Sequence, residues 1–352
     1  MVLTYDVGSL PFEGDYEAFL NESEKVGEYF RKKVVEGFID KIFYGMDIPN
    51  YPQYKDMNEM FLEKIDGISR MGDGWVLEEN LRVKSGKEEI AEVKALKISL
   101  KEICEKTGLE RIKVKICITG PHTLSWVFVY RDPEIFLQLA NVLAKIAESN
   151  IFREKHGEVF LLSVDEPTFG TCDDPQLDYG SVGRENLLKA WEKIFYKASS
   201  KNIQTILHLH STRDSLFWDI KNLKIVESHV NDPLYSSKQA KRMLEEKDKF
   251  IKASIALTDF DQLIKQKVEK KISKDENILQ KIGELWSKIK KEKIDPKTFF
   301  EDQKIVLERL IKTINLFGVE RVPYAGPECG LKSFPTYKCA IEYLKHVSKS
   351  IK

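Results

Sequence analysis

The sequence predicts an α/β protein of the (β/α)8 TIM-barrel class, built as one domain over residues 1–352. Short runs of strand-forming residues alternate with longer segments of helical periodicity, which is typical of parallel strands joined by helical crossovers. A chain of 352 residues has room for about eight such units, the number found in this barrel. Polar residues stand at the C-terminal ends of the apolar runs, where a barrel carries its active site. These observations favour a closed barrel over an open doubly wound sheet.

Apolar runs predict the strands, and longer periodic segments predict the helices. The predicted strands are residues 2–7, 112–118, 159–164, 205–209, 224–226, 251–257 and 321–324. The clearest helical periodicity covers residues 136–149, 185–201 and 305–317. Two further segments are predicted as additions to the barrel. Residues 40–75, which carry aromatic residues, methionine and proline, are predicted to form a capping loop, and residues 260–300, dense in lysine and glutamate, a charged helical hairpin in contact with solvent.

The composition indicates a globular protein with a large core. Hydrophobic residues make up 42% of the chain and charged residues 32%, so disorder is not expected. The 56 basic residues balance the 56 acidic residues, which argues against nucleic acid or a membrane as a partner. The five cysteines lack paired spacing, which favours a reducing compartment. Because neither a signal peptide nor an apolar run of membrane-spanning length is visible, the expected location is the cytoplasm.

Two histidines and a cysteine suggest a metal site. His208 and His210 follow an apolar run at spacing i, i+2, which places both side chains on one face of a strand, with Cα atoms about 6.5 Å apart. Glu227 and His229 repeat this spacing after the next run, and Cys329 stands in a glycine- and proline-rich loop after the last run. Because imidazole, carboxylate and thiolate are zinc ligands, these residues predict a zinc site on the barrel rim.

Three other strand ends carry polar residues, and each is consistent with either a ligand-binding role or a structural one. Asp165 and Glu166 end a buried strand, where their charges need a partner, either the ammonium group of a ligand or a structural arginine or lysine. Gly8 and Ser9 end the first strand and either offer N–H groups and a hydroxyl to a carboxylate or form a simple turn. His122 lies in a Gly-Pro-His-Thr segment that is either a binding element or a rigid turn.

Together these residues resemble the C-terminal catalytic barrel of cobalamin-independent methionine synthase, especially the short core form without the N-terminal half. The resembling segments run nearly from end to end of the chain. They are Val7-Gly8-Ser9-Leu10-Pro11, Asp56-Met57 with Phe61 and Asp66-Gly67, Thr119-Gly120-Pro121-His122-Thr123, Val164-Asp165-Glu166-Pro167, Leu207-His208-Leu209-His210, Val226-Glu227 and Gly326-Pro327-Glu328-Cys329-Gly330-Leu331-Lys332. The last segment, combined with the Asp-Glu-Pro and Gly-Ser segments, is the most specific of them.

The resemblance implies that zinc is bound by His208, His210, Glu227 and Cys329. His210 stands where the family has a cysteine, and His229 is an alternative ligand to it. The site would then contain one protein thiolate instead of two. A zinc ion with less donated negative charge lowers the pKa of a bound thiol further, but leaves the thiolate less nucleophilic.

The resemblance also implies how an acceptor amino acid is held. Gly8 and Ser9 match the segment near the carboxylate of homocysteine, and Asp165 matches the contact to its amino group. The second acidic contact of the family is absent, and Gln53 stands in that stretch, where it can form a hydrogen bond. The predicted catalytic residues are Asp165 and Glu166, and the predicted substrate contacts are Gly8, Ser9, Gln53, Asp165 and His122.

The methyl donor is predicted from an absent histidine. Folate-dependent members of the family protonate the leaving nitrogen through a histidine near a late strand, and residues 255–260 of this chain contain none. A methyl-corrinoid leaves as cob(I)alamin, which needs no general acid. Together with the absent folate-binding half, this predicts methylcobalamin or a methyl-corrinoid partner protein as the donor, ahead of a methyl-folate or methyl-pterin.

The resulting hypothesis is a zinc-dependent thiol methyltransferase that converts homocysteine to methionine. A methylcobamide:coenzyme M methyltransferase would use a different thiol in the same role. A metal-dependent hydrolase of the amidohydrolase type also has His-x-His at a strand end, but on its first strand, and the first strand here ends in Gly8-Ser9. A corrinoid-binding or degenerate non-catalytic homologue is the remaining alternative, because two positions differ from the family pattern.

Overall fold

A computed structural model describes residues 2–269 and 277–351. Its strands are β1 (Leu3–Thr4), β2 (Ile65–Met71), β3 (Gly74–Val83), β4 (Ile112–Thr119), β5 (Arg153–Glu154), β6 (Gly157–Glu166), β7 (Gln204–Leu209), β8 (Ile225–Glu227), β9 (Phe250–Ala256) and β10 (Tyr324–Pro327). Its helices are α1 (Tyr16–Ser23), α2 (Glu28–Phe43), α3 (Glu59–Leu62), α4 (Ala91–Thr107), α5 (Pro121–Ser125), α6 (Ile135–Asn150), α7 (Val182–Ser199), α8 (Lys238–Glu246), α9 (Phe260–Glu269), α10 (Ile278–Lys290), α11 (Gln303–Phe317) and α12 (Tyr337–Lys349).

The main sheet is parallel and curled, and it confirms the predicted α/β class. Its strand order is β1-β10-β9-β8-β7-β6-β4, with the short strand β5 paired antiparallel to β6. Apart from the exposed strand β5, these strands are largely buried on both faces, because helices cover the outside and other strands face the inside. Five of the seven predicted strands are found with ends that differ by one or two residues. The predicted strand 2–7 is regular only over Leu3–Thr4, and the predicted strand 321–324 shares only Tyr324 with β10, because Val319–Arg321 forms a turn of 3-10 helix. The parallel arrangement puts the C-terminal ends of all these strands on one rim.

One segment outside the regular strands contacts both edges of the sheet. Ser9 pairs with Gln53, and Asn50 pairs with Lys115 of β4, in isolated parallel bridges. Residues 47–53 therefore lie between β1 and β4, where an eighth strand would close a barrel. Closure into a regular eight-stranded barrel stays a prediction, because the regular sheet itself is a part-barrel.

The two predicted additions contain regular structure. The end of the 40–75 segment forms β2, which pairs with β3 in an antiparallel hairpin that the sequence analysis did not predict. In the 260–300 segment, α9 and α10 pack together through Phe260 and Trp286, whose ring centroids are 5.3 Å apart. Residues 270–276 of this predicted hairpin lie outside the described residues. Whether either segment acts as a cap or an insertion stays a prediction.

A buried ion pair fixes the start of the chain against the 47–53 segment. Lys41 Nζ on α2 donates hydrogen bonds to Asp6 Oδ2 at 2.6 Å, to the Gly8 carbonyl at 3.0 Å and to the Asn50 carbonyl at 3.1 Å. Asp6 Oδ1 in turn accepts a hydrogen bond from the Asn50 N–H at 2.9 Å. Burial lowers the pKa of Lys41, and Asp6 opposes that shift. One ammonium group therefore joins α2, the end of β1 and the edge segment beside Ser9.

We expect Lys41→Met to destabilise the fold strongly, because it leaves the buried Asp6 carboxylate without a cation. The free energy of unfolding in urea should fall by about 3–5 kcal/mol, and a second change, Asp6→Asn, should restore part of it. Lys32→Met on the same helix is the control, because Lys32 is 65% exposed and 3.9 Å from Glu36. Equal losses in the two lysine variants would contradict this account of the ion pair.

Candidate metal centre

Four side chains from three strand ends meet at the rim. They are His208 on β7, His210 just after β7, His229 after β8 and Cys329 after β10. Each offers one ligand atom, and these atoms all lie within 4.8 Å of one another. His208 is buried and the other three are half-buried. We call these four side chains the rim cluster.

The spacing inside the rim cluster suits a zinc ion. Cys329 Sγ lies 3.5 Å from His210 Nε2. Zinc bonds of about 2.3 Å to sulfur and about 2.0 Å to nitrogen, at a tetrahedral angle, separate the two ligand atoms by about 3.5 Å. The ring centroids of His210 and His229 are 3.9 Å apart, and those of His208 and His210 are 5.5 Å apart.

Buried nitrogens without partners support the same interpretation. Within the described ranges, both ring nitrogens of His208 and Nε2 of His229 are buried and have no hydrogen-bond partner. A buried polar atom without a partner is costly, and a shared metal ion would remove that cost. Three imidazoles and a thiolate form a donor set typical of zinc. The residues therefore fit the metal that the sequence analysis predicted.

Glu227, the remaining predicted ligand, lies beside the rim cluster rather than in it. Its Oε2 accepts a hydrogen bond from the Tyr5 hydroxyl at 2.9 Å and pairs with Lys252 Nζ at 2.8 Å. Its Oε1 is 3.1 Å from His208 Nδ1, but the two atoms are not aligned for a hydrogen bond. Glu227 is not among the side chains whose ligand atoms group within 4.8 Å, and its role as a metal ligand stays a prediction.

The electrostatic environment gives the three imidazoles very different pKa values. Burial lowers the pKa of His208, but Cys329 and Glu227 outweigh it and raise the pKa to about 10. Burial and the neighbouring His208 lower the pKa of His210 to about 2 and that of His229 to about 3. Burial raises the pKa of Glu227, but Lys252 and His208 more than reverse this and hold the pKa well below its ordinary value. His210 and His229 are therefore neutral donors over the physiological range.

A small cavity opens in front of the rim cluster. Its volume is about 220 Å³, and its wall includes Ser9, Gln53, Asp165, His210 and Cys329. This is smaller than the roughly 300–1,000 Å³ of pockets that hold drug-sized ligands. Asp165 is buried, and its Oδ1 accepts a hydrogen bond from the Ser163 hydroxyl at 2.6 Å. The cavity therefore suits a small polar molecule with a group that reaches Cys329.

The loop that carries Cys329 is packed tightly on the end of β1. The Leu331 N–H donates a hydrogen bond to the Ser9 carbonyl at 2.8 Å. A Cβ added to Gly330 would lie 1.9 Å from Ser9 Oγ, so a side chain at this position would displace the Ser9 hydroxyl. Gly8, with φ of 143°, also has a conformation that favours glycine. The predicted residues Gly8 and Ser9 thus lie next to the predicted thiolate.

Glu328 holds the same loop from the other side, and the sequence analysis missed it. Its buried carboxylate accepts hydrogen bonds from the Val230 N–H at 2.7 Å and the Thr258 N–H at 3.1 Å. Burial raises the pKa of Glu328 to about 7. The available signal was a charged residue beside Cys329 in a loop that follows a buried strand. Glu328 joins three strand ends and so fixes His229 and Cys329 relative to each other.

Glu166 and His122 are not brought to the cavity. The Glu166 carboxylate accepts hydrogen bonds from the His122 and Thr123 N–H groups at 3.0 and 2.7 Å and from Trp191 Nε1 at 2.8 Å. The His122 ring contacts Thr168 Oγ1 at 2.9 Å. Successive strand residues face opposite sides, so Asp165 faces the cavity while Glu166 faces the helices. A catalytic role for Glu166 and a substrate contact by His122 stay predictions without geometric support.

Comparison with known proteins gives a partial match in sequence and a full-length match in fold. No family model matches the chain. The 5-methyltetrahydropteroyltriglutamate–homocysteine methyltransferase of Coxiella burnetii (strain Dugway 5J108-111) is 27% identical over 180 residues, which are 48% of this chain and 23% of that protein. The Thermotoga maritima protein of the same name is 27% identical over 159 residues, 44% of this chain and 20% of its own length. The chain thus spans about a quarter of the length of these relatives.

Two solved structures share the fold. One is a B12-independent methionine synthase from Shewanella sp. W3-18-1 in complex with selenomethionine, with a TM-score of 0.59, 13% identity, and coverage of 100% of this chain and 98% of the other. The second, from Listeria monocytogenes, is assigned as a vitamin-B12 independent methionine synthase and has a TM-score of 0.59, 14% identity, and coverage of 99% and 98%. At this identity the likeness shows the fold alone. None of the helices in the described part of the chain combines the length and hydropathy that a membrane crossing requires.

The predicted methyl-corrinoid donor is wrong. The matched relatives are named for 5-methyltetrahydropteroyltriglutamate, and the matched structures are those of B12-independent proteins. The prediction depended on the absence of histidine from residues 255–260. A corrinoid protein as partner has no support either.

We expect Glu166→Ala to lower stability rather than to act on the rim cluster. The change leaves three buried N–H donors without an acceptor, which should reduce the free energy of unfolding by about 3 kcal/mol or more. Glu166→Gln keeps one acceptor oxygen and should lose less. Urea unfolding and zinc stoichiometry, measured on both variants, test this. A Glu166→Gln protein with full stability and zinc but no methyl transfer would instead favour the catalytic role.

Proposed function

We propose that the protein is a zinc-dependent methyltransferase that transfers a methyl group from a methyl-tetrahydropteroylglutamate to the sulfur of homocysteine, giving methionine. The observation that carries this proposal is the rim cluster of three imidazoles and one cysteine sulfur. Its members His208, His210 and Cys329 line a small cavity that also includes the buried Asp165. The names of the partly matched relatives supply the donor and acceptor. Because those relatives are matched over about a quarter of their length, the whole activity is a proposal for this chain.

The rim cluster would hold the zinc ion. When bound, zinc lowers the pKa of an acceptor thiol and provides it as a thiolate. The protein's contribution is to fix the donors, since Glu328 binds the backbone beside His229 and Ser9 binds the loop of Cys329. Donors that are fixed in advance reduce the reorganisation needed when the acceptor binds.

Asp165 is the residue that would recognise the amino group of the acceptor. It is buried, lines the cavity and receives a hydrogen bond from Ser163. Among the described residues, no lysine, arginine or histidine forms an ion pair with it. A buried carboxylate needs a compensating charge, and the ammonium group of homocysteine would provide it. This favours an amino-acid thiol over coenzyme M, whose sulfonate would be repelled.

Ser9 and Gln53 would complete the binding of the acceptor. They form a parallel bridge and line the same cavity as Asp165. Ser9 offers a hydroxyl to a carboxylate, and the Gln53 amide can donate or accept a hydrogen bond. Gln53 Nε2 is 3.1 Å from Met60 Sδ, a weak acceptor that a ligand oxygen would replace favourably.

We expect the zinc-loaded full chain to form methionine from homocysteine and 5-methyltetrahydropteroyltriglutamate, with methylcobalamin as the comparison donor. Cys329→Ser should lose stoichiometric zinc and at least about 100-fold in rate, because it removes the thiolate ligand. Cys172→Ser is the control, since Cys172 is exposed and outside the rim cluster. Methionine formation at the full rate in Cys329→Ser, or from methylcobalamin alone, would contradict the proposal.

A change of Asp165 should alter acceptor selectivity. Asp165→Asn is expected to raise KM for homocysteine by about 10–100-fold, since a charged hydrogen bond contributes about 1.5–3 kcal/mol. The KM for 4-mercaptobutyrate, which lacks the amino group, should change little. Steady-state kinetics with both thiols measure the ratio. If the preference for homocysteine is the same in the variant, Asp165 does not bind the amino group.

A further inference from the structure

We infer that His229 is the fourth metal-binding side chain and that Glu227 is a positioning residue whose charge is balanced by Lys252. This inference rests on the zinc site of the proposed function and differs from the ligand set that the resemblance implies. It assigns three imidazoles and one thiolate to the metal, and places the carboxylate behind His208. The argument comes from the neighbours of His229 and of Glu227.

His229 has the geometry of a ligand. Its ligand atom belongs to the rim cluster, and its Nε2 is buried without a partner in the described part of the chain. The centroid of its ring lies 3.9 Å from the centroid of the His210 ring. The backbone on either side is fixed. The Ser228 N–H donates a hydrogen bond to the Tyr235 hydroxyl at 3.1 Å, and the Val230 N–H donates one to the Glu328 carboxylate at 2.7 Å. The imidazole is therefore held where the other donors meet.

Glu227 has the geometry of a supporting group. One carboxylate oxygen is already bound by the Tyr5 hydroxyl and by Lys252. Lys252 also donates a hydrogen bond to the Pro327 carbonyl at 2.6 Å, so it joins the end of β8 to the strand that precedes Cys329. The other oxygen, Oε1, lies 3.1 Å from His208 Nδ1; the two atoms are not aligned for a hydrogen bond, and neither has another partner among the described residues. A small turn of the His208 ring on metal binding would direct its Nδ1–H to this oxygen. A carboxylate beside a ligating histidine typically orients the ring and strengthens it as a donor.

The two ligand sets differ in net charge. Zinc with three neutral imidazoles and one thiolate has a net charge of 2 − 1 = +1. With two imidazoles, a carboxylate and a thiolate, the net charge is 2 − 1 − 1 = 0. The more positive set lowers the pKa of an incoming thiol further. Four protein donors do not exclude that thiol, because catalytic zinc sites also accept five ligands.

The test is X-ray absorption spectroscopy of the zinc-loaded full chain, which counts imidazoles through their multiple scattering, with zinc affinity measured against a chromophoric chelator. The unmodified protein should show three imidazoles and one sulfur. His229→Ala should show two imidazoles and bind zinc at least about 100-fold more weakly, whereas Glu227→Gln should keep three imidazoles and lose about 10–100-fold in affinity. Lys252→Met should also keep three imidazoles.

His156→Ala is the matched control, because His156 is half-buried and lies before β6, away from the rim. It should change neither the imidazole count nor the affinity. Circular dichroism and thermal unfolding of the metal-free variants establish that they fold, and His229→Gln replaces His229→Ala if that variant does not.

Two imidazoles in the unmodified protein, or unchanged zinc affinity in a folded His229 variant, would overturn the inference. Neither measurement involves a methyl donor or acceptor, so the outcome is separable from the proposed function. If the spectrum shows three imidazoles but the protein transfers no methyl group, the proposed function is wrong and the ligand assignment stands. If the protein transfers the methyl group but the spectrum shows two imidazoles, the ligand assignment is wrong and the proposed function stands.

Discussion

The parallel register of β7 and β8 is the constraint on which the rim cluster depends. His208 and Glu227 are register partners, so their side chains leave the sheet at the same level. β9 and β10 continue the parallel order and bring the loop of Cys329 to that level. A slip of one residue in β8 would turn Glu227 to the opposite face. The cluster is therefore a property of the sheet, and no single motif in the chain contains it.

The interior of the sheet beneath the rim carries charge that an ordinary core would avoid. The ammonium groups of Lys252 and Lys115 lie 5.1 and 5.4 Å from the centroid of the Tyr5 ring. The Tyr5 hydroxyl binds Glu227, which is the acidic partner of Lys252. Buried charges of this kind are seldom retained for stability alone. Their arrangement keeps Glu227 ionised and places positive charge below a site that would bind an anionic sulfur.

The sequence predicted the strands well because parallel strands buried on both faces are continuous apolar runs. It did not predict the β2–β3 hairpin, whose exposed residues are largely charged and whose position is set by backbone contacts such as that of Trp75 with Val127. In the site, polar residues at strand ends suggested that His208, His210 and Cys329 meet, and their ligand atoms do lie within 4.8 Å of one another, while their binding of a metal stays a prediction. Local sequence does not show which distant group balances the charge of Glu227. The partner, Lys252, is a single lysine in an otherwise apolar strand, and nothing in its neighbours indicates this contact.

The contact between Gly330 and Ser9 limits how this protein can diversify. One loop carries Cys329 and the other carries Ser9, and a side chain at Gly330 would displace the Ser9 hydroxyl, so a change in either loop would move its neighbour. Lys55, Asp56 and Met57 line the cavity from a different stretch of chain. If the proposed function is correct, the cavity can change to fit other acceptors more easily at this wall than at the wall formed by the Ser9 and Cys329 loops.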